Sequence, residues 1–201
     1  MSTKDRVRWD EIFSKRQKDS YPAPDALLLQ FAPPVEGEER PRALDLAAGL
    51  GQNGLWLAEQ GYNVDIMDIS RVALRRARDE MALRNLRTAN ILQVDLDELV
   101  LKAEDCPAAH EICENSYELI CVFRYLKRSL FPVIKGAIKP EGRIIYETFN
   151  LSYLAEVPQF NRDFLLEPHE LEDIFSDWRI IHHDEEGFKT QLVAVKPKMS
   201  F

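Results

Sequence analysis

Asp45, Gly49, Gly51, Gly54 and Asp68 have the types and the spacing to hold a nucleotide. A glycine turn that opens a helix aims backbone N–H groups and the positive end of the helix dipole at whatever lies above it. The three glycines satisfy G-x-G-x-x-G, and Asp68 follows at about the 20-residue distance from which an acid reaches a ribose. That much fits a dinucleotide. Asp45, ahead of the first glycine, argues otherwise. A carboxylate beside the turn opposes a pyrophosphate and favours a ligand that carries positive charge there. S-adenosylmethionine bears an α-ammonium and a sulfonium in that part of the molecule and no phosphate. It is therefore the expected cofactor, with Asp68 accepting hydrogen bonds from both ribose hydroxyls.

A strand–turn–helix–strand unit is needed to position these groups. Residues 43–47 read as a short buried strand, a helix begins near Asn53, and a second strand over 64–67 ends on Asp68, so each acid stands at a strand tip. Downstream, strands and helices alternate, which predicts a parallel sheet covered on both faces. Ser70 is a good N-cap for a helix to about Asn85. Arg71, Arg75, Arg76, Arg78 and Arg84 make that helix basic, the ordinary sign of a solvated face, with an RNA-contact surface as the alternative. Pro132 implies that the next helix either starts near Phe131 or is kinked, and Pro168 opens a later helix. Strands over 178–183 and 189–195 are separated by a stretch that suits a hairpin and is too short for a crossover helix. Residues 1–40 read as a helical leader and 41–201 as the main domain. In the leader, Trp9, Ile12 and Phe13 mark one amphipathic helix, and Asp25 caps a second that Pro33-Pro34 end.

The glycine segment resembles motif I and the following acidic position of class I S-adenosylmethionine-dependent methyltransferases. Residues 91–96 are similar to the third strand of that family, and 117–126 to its fourth strand and the loop beneath the reactive methyl. Residues 138–149 are similar to the helix–Pro-x-Gly–strand unit that ends in its fifth strand. Asn53 and residues 164–171 are similar to the tellurite-resistance (TehB-like) branch of small bacterial methyltransferases, although Ala48 stands where that branch often has a cysteine. The resemblance implies an α/β, Rossmann-like three-layer sandwich: a mostly parallel seven-stranded sheet with a C-terminal antiparallel hairpin. It also implies a leader that folds over the cofactor as a possible lid, as alternative to a helix packed on the sheet edge.

Open α/β sheets bind ligands outside the carboxyl ends of their strands, near the switch point. Combined with the resemblance, that rule assigns the methionine half to Asp45, Ala47, Gly49 and Asn53, with Gly49 and Gly51 allowing close backbone approach. Asp68 and Ile69 fall to the ribose and adenine edge, Asp95 and Leu96 to the adenine, and Phe123 to the methyl-bearing sulfur. Asp95 has a plainer alternative, which is to cap the next helix together with Asp97. Glu147, Arg124 and Tyr125 are the catalytic candidates, Glu147 as a general base. Arg124 is expected either to bind an anionic acceptor or to pair with Glu147. Tyr21 and His169 are further candidates to enter the site. Methyl transfer from a sulfonium is an in-line displacement in which positioning can suffice, and a base is needed only where the acceptor must lose a proton.

With 201 residues, 45% of them apolar, the chain can bury one substantial core. A formal charge of −8 argues against nucleic acid as a partner. No apolar run approaches the roughly 18 residues that span a bilayer, so no membrane partner is expected. Cys106, Cys113 and Cys121 form no short pair and make an odd count, which argues against a disulfide framework and for a reducing, cytoplasmic setting. Cys106, His110 and Cys113 fit no standard zinc spacing, so no metal is expected. The leading expectation is transfer of a methyl group to a small-molecule acceptor, with a chalcogen oxyanion suggested by the TehB resemblance alone. The alternatives are methylation of RNA or protein, a non-catalytic S-adenosylmethionine-binding regulatory module, and an NAD-dependent oxidoreductase.

Overall fold

A computed structural model describes residues 3–15 and 20–198; positions 1, 2 and 16–19 of the expected leader lie outside them. The leader holds α1 (Thr3–Lys15) and α2 (Ala26–Phe31). There follow β1 (Arg42–Leu46), α3 (Gln52–Glu59), β2 (Asn63–Asp68), α4 (Arg71–Leu83), β3 (Ala89–Gln93), β4 (Val100–Lys102) and β5 (Glu111–Cys113). The chain ends with β6 (Tyr117–Phe123), α5 (Phe131–Ala137), β7 (Ile138–Phe149), α6 (Glu170–Ile174), β8 (Arg179–Asp184) and β9 (Lys189–Val195).

Seven strands form one sheet in the order β3-β2-β1-β6-β7-β9-β8. The first five in that order are parallel, while β9 runs antiparallel to both β7 and β8. The chain moves outward from β1 to β3 and then returns to β6, so the switch point lies between β1 and β6. Register sets Asp45 beside both Ile66 and Cys121, and Phe123 beside Glu147, which brings four strand ends to one rim.

Strand alternation decides which face each acid serves. Leu44, Leu46, Met67, Ile120 and Val122 join the core beneath α5 and α6. Ala43, Val64, Ile66, Leu119 and Cys121 join the core on the α2 and α3 side. By the same alternation Asp45 and Asp68 lie on the α3 face, where the helix N-terminus waits. Ser70 caps α4, its Oγ accepting from Ala73 N at 3.2 Å. Two arginines at the ends of this helix are engaged locally: Arg84, just past α4, with Glu59 and Glu80, and Arg71 with Gln93.

Three expectations need correction. Between β3 and β6 there is a parallel two-stranded ribbon, β4 with β5, where Asp95 and Asp97 had a helix to cap. Cys106 and Cys113 are joined by a disulfide, because the turn that returns the chain to pair with β4 brings their Cα atoms to 5.8 Å. Only Cys121 is a free cysteine among the described residues, and the cysteine argument for a reducing setting falls away. Finally, α6 begins at Glu170, two residues past Pro168, after His169 turns the chain with φ 61°. Among the described residues no helix is long and apolar enough to cross a membrane.

Candidate active site

A cavity of about 590 Å³ opens at the C-terminal ends of β1, β2, β6 and β7. That volume lies in the range of small-molecule sites, roughly 300–1,000 Å³. Its floor is the glycine turn. Ala47, Ala48, Gly49, Leu50, Gln52 and Asn53 all line it, with Asp45 and Asp68 on either side.

Asp45 is 1% exposed, and its Oδ2 accepts from Gly54 N at 2.8 Å in the first turn of α3. Its Oδ1 faces the Cys121 thiol at 3.6 Å. Burial pushes the Asp45 carboxyl up to about 7, and the Gly54 N–H and Cys121 thiol only partly offset this. A buried acid with so little compensation is poised for an arriving cation. Asp68 Oδ2 accepts from Gly49 N at 2.8 Å and Oδ1 accepts from Ser70 N at 2.8 Å. Burial raises its carboxyl as well, against the pull of those amides. Asp68 thus ties the turn to the start of α4 while lining the cavity.

The glycines divide by role. Gly49 lines the cavity. Gly51 does not: a Cβ there would meet Ile66 Cγ2 at 3.2 Å and Ala77 Cβ at 3.3 Å, so its small size serves helix–sheet packing, not the approach to a ligand expected from the sequence. Gly54 is tighter still, with a Cβ placed 2.5 Å from Ile66 Cγ1 and 3.1 Å from Asp45 Oδ2. Gly54→Ala is expected to cost about 1–3 kcal/mol by overpacking, which a thermal melt reads as a drop of several degrees. It should also weaken cofactor binding, because Asp45 has to move. Ala47 adopts φ 55° without being glycine, a strained conformation of the kind that gathers at functional sites.

At the adenine end, Ile69 and Leu96 line the cavity, and Asp95 does not. The Asp95 carboxylate closes a local turn, accepting from Asp97 N at 3.0 Å. Tyr125, expected on the catalytic rim, lines the cavity, and burial, with Asp95, Asp68 and Asp5 adding to it, raises its hydroxyl above the ordinary tyrosine value. Its hydroxyl is buried and has no hydrogen-bond partner among the described residues.

On the acceptor rim Phe123 lines the cavity as expected. Arg124 lines the cavity too, but it does not form the expected pair with Glu147. It grips Asp25 of the leader with both terminal nitrogens, Nη2 donating to Oδ2 at 2.9 Å. Asp25 is further held by Asn53, whose Nδ2 donates to Oδ2 and whose Oδ1 accepts from Asp25 N, each at 2.9 Å. Burial of Asp25 opposes its ionisation, but Arg124 and Asn53 prevail and hold the carboxyl below the usual range. This explains why Asp25, although at the start of α2, makes no capping bond. Glu147 is 5% exposed and absent from the cavity wall. Lys189 Nζ donates to its Oε1 at 2.7 Å and Gln191 Nε2 to its Oε2 at 2.6 Å, so its carboxylate is already held. The neighbouring strand β9 supplies both partners, which reading β7 alone could not reveal.

Sequence reasoning missed two further groups. Trp9 and Phe13 of α1 line the cavity, and α1 is fixed to α4 through Asp10, whose Oδ1 accepts from Ser70 Oγ at 2.7 Å and from Val72 N at 3.1 Å. Tyr21 donates its hydroxyl to Leu50 O in the glycine turn. Phe149, Tyr153, Phe160 and Phe164 form the opposite wall. The aromatic density of residues 149–164 was the available signal for the latter. His169 does not line the cavity.

A family profile describing a methyltransferase domain matches residues 43–142, the span that carries the glycine turn, both acids and the β6 tip. The fold is similar to that of TehB from Haemophilus influenzae, at 19% identity and a TM-score of 0.63, over 78% of this chain and 58% of TehB. The chain therefore spans less than two thirds of TehB's length. A structure of an S-adenosylmethionine-dependent methyltransferase from Mesorhizobium loti is similar at 18% identity and a TM-score of 0.64, covering 85% of this chain and 96% of the other. Phosphoethanolamine N-methyltransferase 2 from Haemonchus contortus, solved in complex with S-adenosyl-L-methionine, is similar at 16% identity and a TM-score of 0.67, over 96% of this chain and 57% of that one. No curated protein sequence matches. At these identities the solved structures speak for the fold, while the family profile and the acid–glycine–acid floor speak for the cofactor. Residues 43–142 thus form a methyltransferase domain, in a chain whose fold is similar to that of TehB and of other S-adenosylmethionine-dependent methyltransferases.

Proposed function

We propose that the protein methylates a small-molecule acceptor. The observation that carries this reading is one cavity of about 590 Å³ running from the acid–glycine–acid floor to an aromatic wall, with α1 along its side. The residues present fit the cofactor. Asp45 is a buried acid short of a cationic partner, Gly49 lines the cavity at the turn, and Tyr125, which also lines it, carries a buried hydroxyl with no hydrogen-bond partner among the described residues. Asp45, Ala47, Gly49 and Asn53 would hold the methionine half, although Asn53 acts mainly by fixing Asp25. Asp68 would take the ribose, Ile69, Leu96 and Tyr125 the adenosyl edge, and Phe123 the vicinity of the sulfur. When bound, S-adenosylmethionine supplies an electrophilic methyl group on a positively charged sulfur. The chain's own contribution is to neutralise the ammonium, exclude water and align the acceptor. No general base is assigned, because Glu147 is engaged by Lys189 and Gln191. The leader, residues 1–40, would act as a cover held by Asp10 and Asp25.

Calorimetry on the purified chain tests the cofactor. S-adenosylmethionine and S-adenosylhomocysteine are expected to bind and NAD to give no heat; the reverse pattern defeats the reading. Methylated product from a mixed metabolite extract separates an enzyme from a binding module.

A further inference from the structure

From Phe123 outward the cavity wall is aromatic. Phe149 stacks on Tyr153 with ring centroids 4.3 Å apart, and Tyr153 meets Phe160 edge-on at 5.1 Å. Apolar aromatic side chains left half-buried around a cavity mark a surface that awaits an apolar ligand. The charged groups at this end are already engaged: Arg124 by Asp25, and Glu147 by Lys189 and Gln191. Among the described residues no histidine lines the cavity. The carboxylates that do are Asp45 and Asp68, bound to backbone amides of the floor, and Asp5, which lies toward Asp95 and Tyr125. The acceptor end thus offers hydrocarbon surface, while the cavity's carboxylates lie at its floor and along α1.

That combination selects among nucleophiles. Alcohols and phenols attack well only after a base removes their proton, and an alkylamine at neutral pH is an ammonium with no lone pair to use. A thiol differs, being a few per cent thiolate near pH 7 and strongly nucleophilic in that form. Oxyanions would need cations beside the methyl, and Arg124 there is held by Asp25. The cavity's other cations, Arg8 and Arg76, lie on the α1 and α4 side, Arg8 over the Trp9 ring and Arg76 Nη1 donating to Phe13 O at 3.4 Å.

We infer that the methyl acceptor is an apolar thiol whose hydrocarbon or aromatic part rests against Phe149, Tyr153 and Phe160. This deepens the methyl-transfer reading and rests on it. The thiol gives its proton to water before reaction. Its sulfur then forms a bond to the methyl carbon as that carbon's bond to the sulfonium breaks, with the electron pair left on the departing sulfur. A thioether and S-adenosylhomocysteine result, and no oxidant or reductant takes part.

The test gives the full-length chain S-adenosylmethionine with benzenethiol, phenol, aniline or tellurite in turn, following product by mass spectrometry. Benzenethiol is expected to exceed each of the others at least a hundredfold in kcat/KM. With an alkyl thiol the pH profile should move up by the difference in thiol pKa, whereas a base on the protein would hold it in place. A second readout needs no turnover. Thioanisole, the product of the benzenethiol reaction, should bind at least tenfold more weakly to Phe160→Ala and to the milder Tyr153→Leu, with S-adenosylhomocysteine affinity unchanged within twofold. Comparable turnover of phenol or aniline, preference for tellurite, unaltered thioanisole binding in both variants, or cofactor binding without turnover of any apolar thiol would each overturn the inference. Failure to bind the cofactor would instead remove the methyl-transfer reading and this inference with it.

Discussion

Asp45→Asn is expected to weaken S-adenosylmethionine binding at least a hundredfold while making the cofactor-free protein more stable near neutral pH. The substitution keeps shape and one essential contact, since the amide oxygen can still accept from Gly54 N as Oδ2 does at 2.8 Å. What it removes is the charge. Loss of one partner from a desolvated, hydrogen-bonded charge pair costs about 2–5 kcal/mol, and about 2.8 kcal/mol is a factor of a hundred. The stability change follows from the raised carboxyl. Between the ordinary value of 3.8 and the folded value of about 7, the unfolded chain has lost a proton that the folded chain keeps. Stability attributable to this group therefore falls as pH rises through that window. Asparagine has no proton to lose, so the variant's melting temperature should pull ahead of the wild type as pH increases from about 4 to 7. The same carboxyl gives the wild type a second signature, with cofactor affinity weakening as pH drops below about 7 and Asp45 takes up its proton. Calorimetry and thermal melts across pH 5–8 measure all three effects, and an unchanged cofactor affinity in Asp45→Asn would defeat the assignment of Asp45.

Asp68→Ala is expected to lose both cofactor and stability, in contrast to Asp45→Asn. Gly49 N and Ser70 N each donate to this carboxylate at 2.8 Å, and truncation leaves both without it in a largely buried position. A buried donor left unsatisfied costs about 1–3 kcal/mol, so for the two donors a loss of about 2–6 kcal/mol is expected. For a domain of this size that lowers the melting temperature by roughly 2–4 °C per kcal/mol. Cofactor affinity should fall at least a hundredfold, because the turn at Gly49 loses its tether to α4 and the ribose loses its acceptor. Asp68→Glu should recover part of the stability and little of the affinity, since the longer side chain cannot accept from both amides in place. Asp68→Ala with wild-type melting temperature would contradict the tethering role, and retained affinity would contradict the ribose role.

Much of the site was legible because its signals are local. Strand period, a glycine turn and an acid at each strand tip lie within one short stretch of the chain, and alternation alone sends Asp45 and Asp68 to the face where α3 starts. The closing hairpin was readable for a similar reason, since the link between its strands leaves no room for a crossover helix. Gly51 shows where local reading stops. Its place in the motif suggested contact with a ligand, but its near neighbours are Ile66 and Ala77 from β2 and α4.

The partners of the rim residues belonged to the tertiary structure. Arg124 is separated from Asp25 by 99 positions, and Glu147 from Lys189 by 42. Nothing in the composition of either segment says which cation meets which acid, because a salt bridge depends on which strand ends and helix starts converge. The disulfide between Cys106 and Cys113 likewise waited on the ribbon that brings their backbones together. The sequence by itself determined the cofactor and the sheet, through periodicity and the charge beside one turn. Folding decided which polar groups remain available to an acceptor, because only the packed chain shows which of them already hold one another.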